Sequence, residues 1–286
     1  MEEGFCDMKR FSRLKRGLAL TSAALLLLFC ALVLLPAARL QVQARTDATK
    51  PPLGVAGSFA VLGGRTVTNT GPTVVDGDLG VDPGSAVTGF PPGIVHGAIH
   101  KADAVALQAQ SDVTIAYVNA AGQPCNHDMT GKDLGGKALT SGVYCFSSSA
   151  QLTGHLTLDG QGNASSVFII QIGSKLTTAS NASVSLIHGA SPCNIFWQVG
   201  SSATVGTNTS FTENILALTS ISAKTGAKFN GSLYARNGAV TLDANTITRS
   251  QCASVPTPTT VPTKTPTATP TKFPGLPQTG SDPYNP

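Results

Sequence analysis

The stretch Val167-Phe168-Ile169-Ile170, followed shortly by Leu176-Thr177-Thr178-Ala179, joins an apolar strand to a strand rich in hydroxyl side chains. Four other segments share this two-part form and begin at Val143, Asn194, Asn214 and Ser232. Alternation within each strand turns Val, Ile and Leu inward and Thr, Ser and Asn outward. One unit cannot bury its own apolar face, but stacked units can. The repeat therefore predicts a mainly β protein, a β-solenoid of stacked coils.

A different pattern occupies residues 100–121. Apolar and small residues recur there at helical spacing, namely Ala102, Val105, Ala106, Ala109, Val113, Ala116 and Tyr117. Gly122 and Pro124 end the pattern. The narrow, Ala-rich stripe predicts one α-helix that packs closely along the side of the solenoid.

The charge of the chain is concentrated at its N-terminus. Residues 1–44 carry six of the 19 basic and three of the 15 acidic residues, so the rest of the chain is nearly neutral. Outside the N-terminus there is no run or stripe of Lys and Arg. Because nucleic-acid binding needs several cations on one face, we expect no nucleic-acid partner.

The N-terminus has the three parts of an export signal. A cluster of basic residues precedes an apolar run over residues 18–35, and Val42-Gln43-Ala44 supplies a small-x-small exit. We predict a signal peptide over residues 1–44, cleaved after Ala44, and a linker over residues 45–52. An uncleaved membrane anchor is the alternative, because about 18–20 apolar residues can span a bilayer. Membrane contact is expected only in that case.

The C-terminal part predicts a stalk and a surface-attachment signal. Prolines recur every four residues from Pro258 to Pro274, which favours an extended stalk over residues 254–275. The tail, residues 276–286, begins with Leu276-Pro277-Gln278-Thr279-Gly280, which resembles the motif that sortases cut during cell-wall attachment. The apolar span and basic tail expected next are not found in residues 281–286. A truncated gene model, a variant system and a chance match all stay open.

The cysteines agree with export. Beyond the signal region the chain keeps Cys125, Cys145, Cys193 and Cys252, without a Cys-x-x-Cys pair. Two disulfides outside the cytosol fit this arrangement. Four cysteines can form two disulfides in three ways. We favour the arrangement with Cys125–Cys145 and Cys193–Cys252. We predict an extracellular or cell-surface protein.

Motifs for catalysis are weak. His96 and His100 lie four residues apart, but the carboxylate of a metalloprotease motif does not accompany them. Between residues 134 and 253 the carboxylates are Asp159, Glu213 and Asp243. Such sparse acids do not suit the paired-carboxylate chemistry of a solenoid polysaccharide enzyme. We expect a binding protein that is not an enzyme and has no catalytic residue, cofactor or metal.

With the helix and coils placed, the chain closely resembles the microbial ice-binding protein family. Thr66-Val67-Thr68-Asn69-Thr70-Gly71-Pro72-Thr73 and Phe196-Trp197-Gln198-Val199-Gly200 are two of the matching stretches. Others occupy residues 53–62, 77–81, 87–93, 133–136, 201–204 and 236–243. The resemblance implies a right-handed discontinuous β-solenoid over residues 53–253, with one helix alongside. It also implies a protein, expected to be a monomer, whose partner is the surface of an ice crystal.

The resemblance further implies a flat face of outward Thr and small residues, often written Thr-Ala/Gly-x-Thr/Asn. The corresponding tetrads begin at Thr153, Thr178, Val205, Thr225 and Asp243. The predicted face residues are Thr153, Thr178, Ala179, Ser180, Asn181, Gly206, Thr207, Asn208, Thr225, Gly226, Asn245 and Thr246. His155, Lys228 and Asp243 depart from the pattern, because they would place polar or charged side chains on the same face.

Two other interpretations of these residues stay open. Outward Thr is also the residue that exposed strands favour, without any ligand. An adhesin or structural module on the same scaffold, binding glycan, protein or matrix at the cell surface, is the alternative function.

Overall fold

The computed structural model describes residues 47–212 and 214–251. Its helices are the 3₁₀ turns Gly54–Ser58 and Pro192–Asn194 and the α-helix α1 (Ala104–Ala121). The strands, in chain order, are β1 (Phe59–Gly63), β2 (Thr66–Thr70), β3 (Val74–Asp76), β4 (Asp78–Val81), β5 (Ala86–Thr88), β6 (Ile94–Val95), β7 (Ile99–Lys101), β8 (His127–Asp128), β9 (Ala138–Leu139), β10 (Gly142–Phe146), β11 (Ala150–Leu152), β12 (His155–Asp159), β13 (Phe168–Ile172), β14 (Leu176–Thr178), β15 (Ser183–Ile187), β16 (Ile195–Val199), β17 (Ala203–Val205), β18 (Ser210–Thr212), β19 (Asn214–Ala217), β20 (Ile221–Ala223), β21 (Lys228–Asn230), β22 (Leu233–Ala235), β23 (Val240–Asp243) and β24 (Thr246–Thr248).

The strands form three sheets, which we call A, B and C. Sheet A has the order β7-β4-β1-β22-β19-β16-β13-β10-β8, sheet B the order β11-β14-β17-β20-β23-β2-β5, and sheet C the order β6-β3-β24-β21-β18-β15-β12-β9. Neighbouring strands are parallel, as in the pair β13 and β16. Each full coil gives one strand to each sheet, so the predicted β-solenoid is confirmed.

The coils do not stack in chain order. In sheet A the first strand, β1, lies between β22 and β4, and in sheet B β2 lies between β23 and β5. The N-terminal coils therefore stack on the last coil, after α1 has carried the chain to the opposite end. The discontinuous order that the family resemblance implied is confirmed.

Inward side chains from all three sheets fill the interior. Trp197, Phe168 and Phe211 are among the largest fully buried side chains. The Trp197 ring lies 5.0 Å from that of Phe211, between centroids. Because each coil adds one layer of apolar side chains, burial grows with every coil that stacks.

Helix α1 covers the outer face of sheet A. Ala109 and Ala116 are fully buried and pack in one cluster with Leu62, Phe196 and Leu216. Small helical residues permit this close approach. Because α1 occupies the outer face of sheet A, the described residues leave the outer faces of sheets B and C uncovered.

The helix begins later than the sequence predicted. His100 belongs to β7, and α1 begins at Ala104 after the cap residue Asp103. The Asp103 carboxylate accepts a hydrogen bond from the Ala106 N–H at 2.8 Å. The hydrogen bond from the Ala106 backbone lowers the pKa of Asp103, and a hydrogen bond with the His100 side chain lowers it further. At the other end, the Gln171 side-chain amide donates to the carbonyls of Ala120 and Gln123, both at 2.8 Å.

One predicted disulfide is confirmed. Cys125 and Cys145 are bonded, with their Cα atoms 5.9 Å apart, and they join the chain after α1 to strand β10. Cys252 lies outside the described residues, so the Cys193–Cys252 pairing stays a prediction. The signal peptide over residues 1–44, the stalk over residues 254–275 and the sorting-like tail over residues 276–286 also lie outside them.

The described part of the predicted linker is attached to the helix. Gln123 donates to the Thr49 carbonyl at 2.7 Å and accepts from the Thr49 N–H at 2.9 Å. Ala48 and Leu53 pack against the cluster between α1 and sheet A. Among the described residues, the helices include none long and apolar enough to cross a membrane.

Tyr234 gives this packing a pH dependence. Its hydroxyl is buried and donates to the Ala56 carbonyl at 2.9 Å. Burial raises the pKa of Tyr234 to about 12. Because this is above the unfolded value of about 10, the contribution to stability is complete below pH 10 and is lost as pH rises toward 12.

We expect the free energy of unfolding to fall by roughly 2 kcal/mol between pH 9 and pH 12 through this group. Urea titrations at several pH values measure the loss. Tyr234→Phe is the matched control. It should be less stable at neutral pH, but its free energy of unfolding should change less with pH above pH 10. An equal alkaline loss in both proteins would contradict the assignment to Tyr234.

Candidate functional site

The outer face of sheet B carries a column of hydroxyl side chains along its centre line. Residues at the middle of each strand pair directly with one another from coil to coil. In spatial order they are Gln151, Thr177, Thr204, Ser222, Thr241, Thr68 and Thr88. Each is exposed or half-buried, whereas most of its neighbours in the strand, such as Leu176 and Val205, are buried. We call these seven residues the threonine ladder.

The ladder crosses the junction between the two ends of the chain without a break. Thr241 of the last coil is paired with Thr68 of the first. The Thr68 hydroxyl donates to the Thr241 hydroxyl at 3.4 Å. Parallel pairing fixes the spacing between successive ladder positions at about 4.8 Å. Because Thr is β-branched, its χ1 angle is restricted and the hydroxyls and methyls are held in place.

The ladder contains no charged residue, and charges lie only at its margins. Two residues before and after the ladder positions, many side chains are also small or hydroxylated, as at Ser202, Ser220, Ala179 and Thr70. The charged residues in these flanking positions are Lys175, Lys224 and Asp243. The centre of sheet B is therefore a neutral, regular surface.

The outer face of sheet C is different, because charged and imidazole side chains interrupt its columns. Lys228 lies between Ser210 and Thr246 in one of these columns. Both ring nitrogens of His155 contact serine hydroxyls, Ser183 and Ser185, at 2.8 Å. These groups are strongly hydrated, so sheet C does not present a neutral plane.

Two His–Asp contacts also lie on or near sheet C. His96 contacts Asp76, and His188 contacts Asp159 at 3.0 Å. The Gln161 backbone N–H is the main cause of the lowered pKa of Asp159, and the His188 contact adds to it. Across the described ranges, His, Cys, Asp and Glu do not gather in groups of three or more that could hold a metal ion.

The residues predicted from the sequence to form the face lie mainly at the corner between sheets B and C. The structure stacks their turns on one another, since the Asn181 N–H donates to the Thr207 carbonyl at 2.8 Å and the Asn208 N–H donates to the Thr225 carbonyl at 3.0 Å. Asn181, Asn208 and Gly226 have φ values of 60°, 55° and 72°. Asn and Gly tolerate this left-handed backbone, which turns the chain from sheet B to sheet C.

Two of the predicted face side chains are corrected by the structure, and the predicted face residue Gly206 is also buried. Thr178 is 4% exposed and Asn245 is 1% exposed, so neither reaches solvent. The Thr178 hydroxyl accepts from the Gly206 N–H at 2.8 Å, and the Asn245 amide donates to the Lys224 carbonyl at 2.8 Å. Alternation along β14 turns Thr177 outward and Thr178 inward. Both corrected residues satisfy backbone groups of the corner.

The other predicted residues are distributed over three places. Ala179, Ser180, Asn181, Gly206, Thr207, Asn208, Thr225 and Gly226 follow sheet B strands at the corner. Thr246 lies on sheet C, and so do His155 and Lys228, which depart from the tetrad pattern. Thr153 is exposed after β11, and its hydroxyl donates to Asp133 at 2.7 Å. Burial raises the pKa of Asp133, but the hydrogen bonds from Thr153 and Gly135 outweigh it, so the pKa is lowered.

The sequence interpretation missed the ladder itself. The signal was the alternation of an inward apolar residue with an outward Thr or Ser, as in Ala203-Thr204 and Val240-Thr241. The predicted tetrads begin one to three residues after the ladder positions. The N-terminal strand with Thr66, Thr68 and Thr70 was not recognised as part of the same face.

The fold and the ladder define a class of β-solenoids that present a neutral, regular, hydroxyl-bearing surface. The model of the family described as Ice-binding-like matches residues 61–248. The chain belongs to this ice-binding-like family.

Relatives and solved structures agree with the assignment. An "Ice-binding protein" from Nostoc sp. (strain HG1) is 56% identical over 199 residues, 69% of this chain and 74% of that protein. A crystal structure of an ice binding protein from an Antarctic biological consortium has a TM-score of 0.70 at 46% identity, covering 71% of this chain and 93% of that one. The ice-binding protein of Antarctomyces psychrotrophicus has a TM-score of 0.69 at 42% identity, covering 71% and 100%.

The correction at Thr178 can be tested by comparing it with its neighbour. We expect Thr178→Val to lower the free energy of unfolding by about 1–3 kcal/mol, because the Gly206 N–H loses its buried acceptor. Thr177→Val changes an exposed side chain and should stay within about 0.5 kcal/mol of the parent protein. Urea unfolding measures both. Equal stability of the two variants would show that the Thr178 hydroxyl has no structural role.

Proposed function

We propose that this protein binds the surface of ice through the threonine ladder. The observation that carries the proposal is a centre column of sheet B that is uncharged and in register from Gln151 to Thr88. The relatives support it, since they are named ice-binding proteins. The adhesin alternative is not favoured.

The ladder suits ice because ice offers a flat lattice without charge or pocket. A ligand of this kind is held only by a surface that repeats regularly and stays rigid. Hydroxyls can bond water into an ordered layer, and the methyl groups between them limit other water positions. Because the parallel strands and the β-branched side chains already fix these groups, little entropy is lost on docking.

The same reasoning excludes sheet C as the main surface. Lys228 and Asp76 lie in its two outward columns, and each carries a strongly hydrated charge. The corner with Ala179, Thr207 and Thr225 adjoins the ladder. We assign it the role of a margin, where small and hydroxylated residues extend the contact without forming its centre.

We place this activity outside the cell. The export signal over residues 1–44 and the Cys125–Cys145 disulfide support an oxidising, extracellular setting. Attachment to the cell wall through residues 276–280 is the further part of this proposal. Mass spectrometry of a wall digest, which would find a cross-link at Thr279, tests it.

Three substitutions in a single coil test the choice of face. Thr204 lies on sheet B, Thr207 at the corner and Thr212 on sheet C, and all three are half-buried. We expect Thr204→Tyr to raise the concentration needed for a given thermal hysteresis about tenfold, equivalent to about 1.4 kcal/mol of adsorption free energy. The bulky ring keeps ice away from the neighbouring ladder positions.

The matched controls make the result specific. Thr212→Tyr should keep the activity of the parent chain, and Thr207→Tyr should fall between the two. Circular dichroism and urea unfolding establish that all three proteins are folded. If Thr212→Tyr lowers hysteresis as much as Thr204→Tyr, sheet B is the wrong face. If the parent chain shows neither hysteresis nor uptake into a growing ice hemisphere, ice binding itself is wrong.

A further inference from the structure

We propose that Lys224 limits how strongly the threonine ladder holds ice, so that a short neutral residue at this position would give a better ice-binding surface. The inference rests on the proposed function and concerns the same face. It assigns to one lysine the role of setting the affinity of that face.

The position of Lys224 places it on the ladder side of sheet B. It directly follows β20 and lies two residues beyond Ser222, a ladder residue, so the strand alternation turns both to the same side. The Lys224 N–H donates to the Val205 carbonyl at 2.9 Å, which extends the parallel pairing by one residue. Its side chain is exposed.

The corresponding positions in the adjacent coils carry short side chains. On one side lie Gly206 and, one coil further, Ala179; on the other lie Asp243 and then Thr70. Apart from the two charged residues and Phe90 at its end, this flanking row is made of small or hydroxylated residues. Within the interior of this row, Lys224 is therefore the one long, exposed side chain, whereas Lys175 lies in the row on the other side of the ladder.

The two charged residues of the row differ in how they are held. The Asp243 carboxylate accepts a hydrogen bond from the Thr225 hydroxyl, and Asp243 is half-buried. Its side chain is thus drawn toward the corner. The Lys224 ammonium makes no hydrogen bond or ion pair with any residue in the described part of the chain.

An unpaired lysine opposes ice docking in two ways. Its ammonium is strongly hydrated, and its four-carbon stem loses rotamer freedom if it is pressed flat. The stem is also long enough to cover Ser222 and Gly206. Because the solenoid and the crystal are both rigid, a gap held open by one side chain extends to its neighbours in the ladder.

Lys228 provides a matched control within the same coil. It lies four residues further along, begins β21 and is also exposed, but its side chain is on sheet C. Lys224→Thr and Lys228→Thr remove the same charge and place the same residue on an exposed position. Any effect of net charge on solubility or hysteresis is therefore common to both.

The experiment measures the concentration that gives a fixed thermal hysteresis for the full chain, the two lysine variants and Thr204→Tyr. Ordering one rotamer-rich side chain corresponds to a factor of about two to ten in affinity, so Lys224→Thr should lower that concentration about two- to tenfold. Lys228→Thr should match the parent chain. Lys224→Ala serves as a second variant if Thr at this position disturbs the corner.

The outcomes separate the inference from the proposed function. Equal changes in the two lysine variants, or a Lys224 variant no better than the parent, overturn the role of Lys224 when Thr204→Tyr still loses activity. If Thr204→Tyr is as active as the parent, or the parent does not act on ice at all, the proposed function fails and the inference with it.

Discussion

Parallel pairing between the first and last coils is the constraint on which the rest of the structure depends. Strands β1, β2 and β3 lie against β22, β23 and β24, although the chain between them is long. This docking joins the coils made before α1 to those made after it. The register of Thr68 with Thr241 shows that the two sets meet without a shift. A shift by one residue would turn the hydroxyls inward and the apolar residues outward.

Helix α1 then decides which faces are available. Its buried alanines hold it against sheet A, and Gln171 and the Cys125–Cys145 disulfide fix its C-terminal end. Helix α1 covers the outer face of sheet A. The outer faces of sheets B and C then differ mainly in charge. Sheet C carries Lys228 and two His–Asp contacts, and the centre of sheet B carries no charged residue. The site follows from this distribution and not from any pocket.

The sequence predicted the solenoid because Val, Ile and Leu recur in an apolar strand that one coil cannot bury alone. It could not give the order of the coils, since parallel pairing between distant segments leaves no local pattern; the family resemblance supplied it. The helix was found from its Ala spacing, but its start was placed four residues early, because His100 pairs as a strand. Thr178 was taken as outward because it fits a tetrad, although the strand alternation turns it inward.

The margin of the ladder reflects two opposing requirements. A neutral, regular surface favours an uncharged ligand, but it also favours association with another copy of itself. Charged residues near such a surface oppose that association at some cost to ligand contact. Lys175 and Lys224 lie in the flanking rows and leave the centre line neutral. Their placement opposes association between copies of this face, and at Lys224 it does so at a cost to ligand contact with the neighbouring ladder positions.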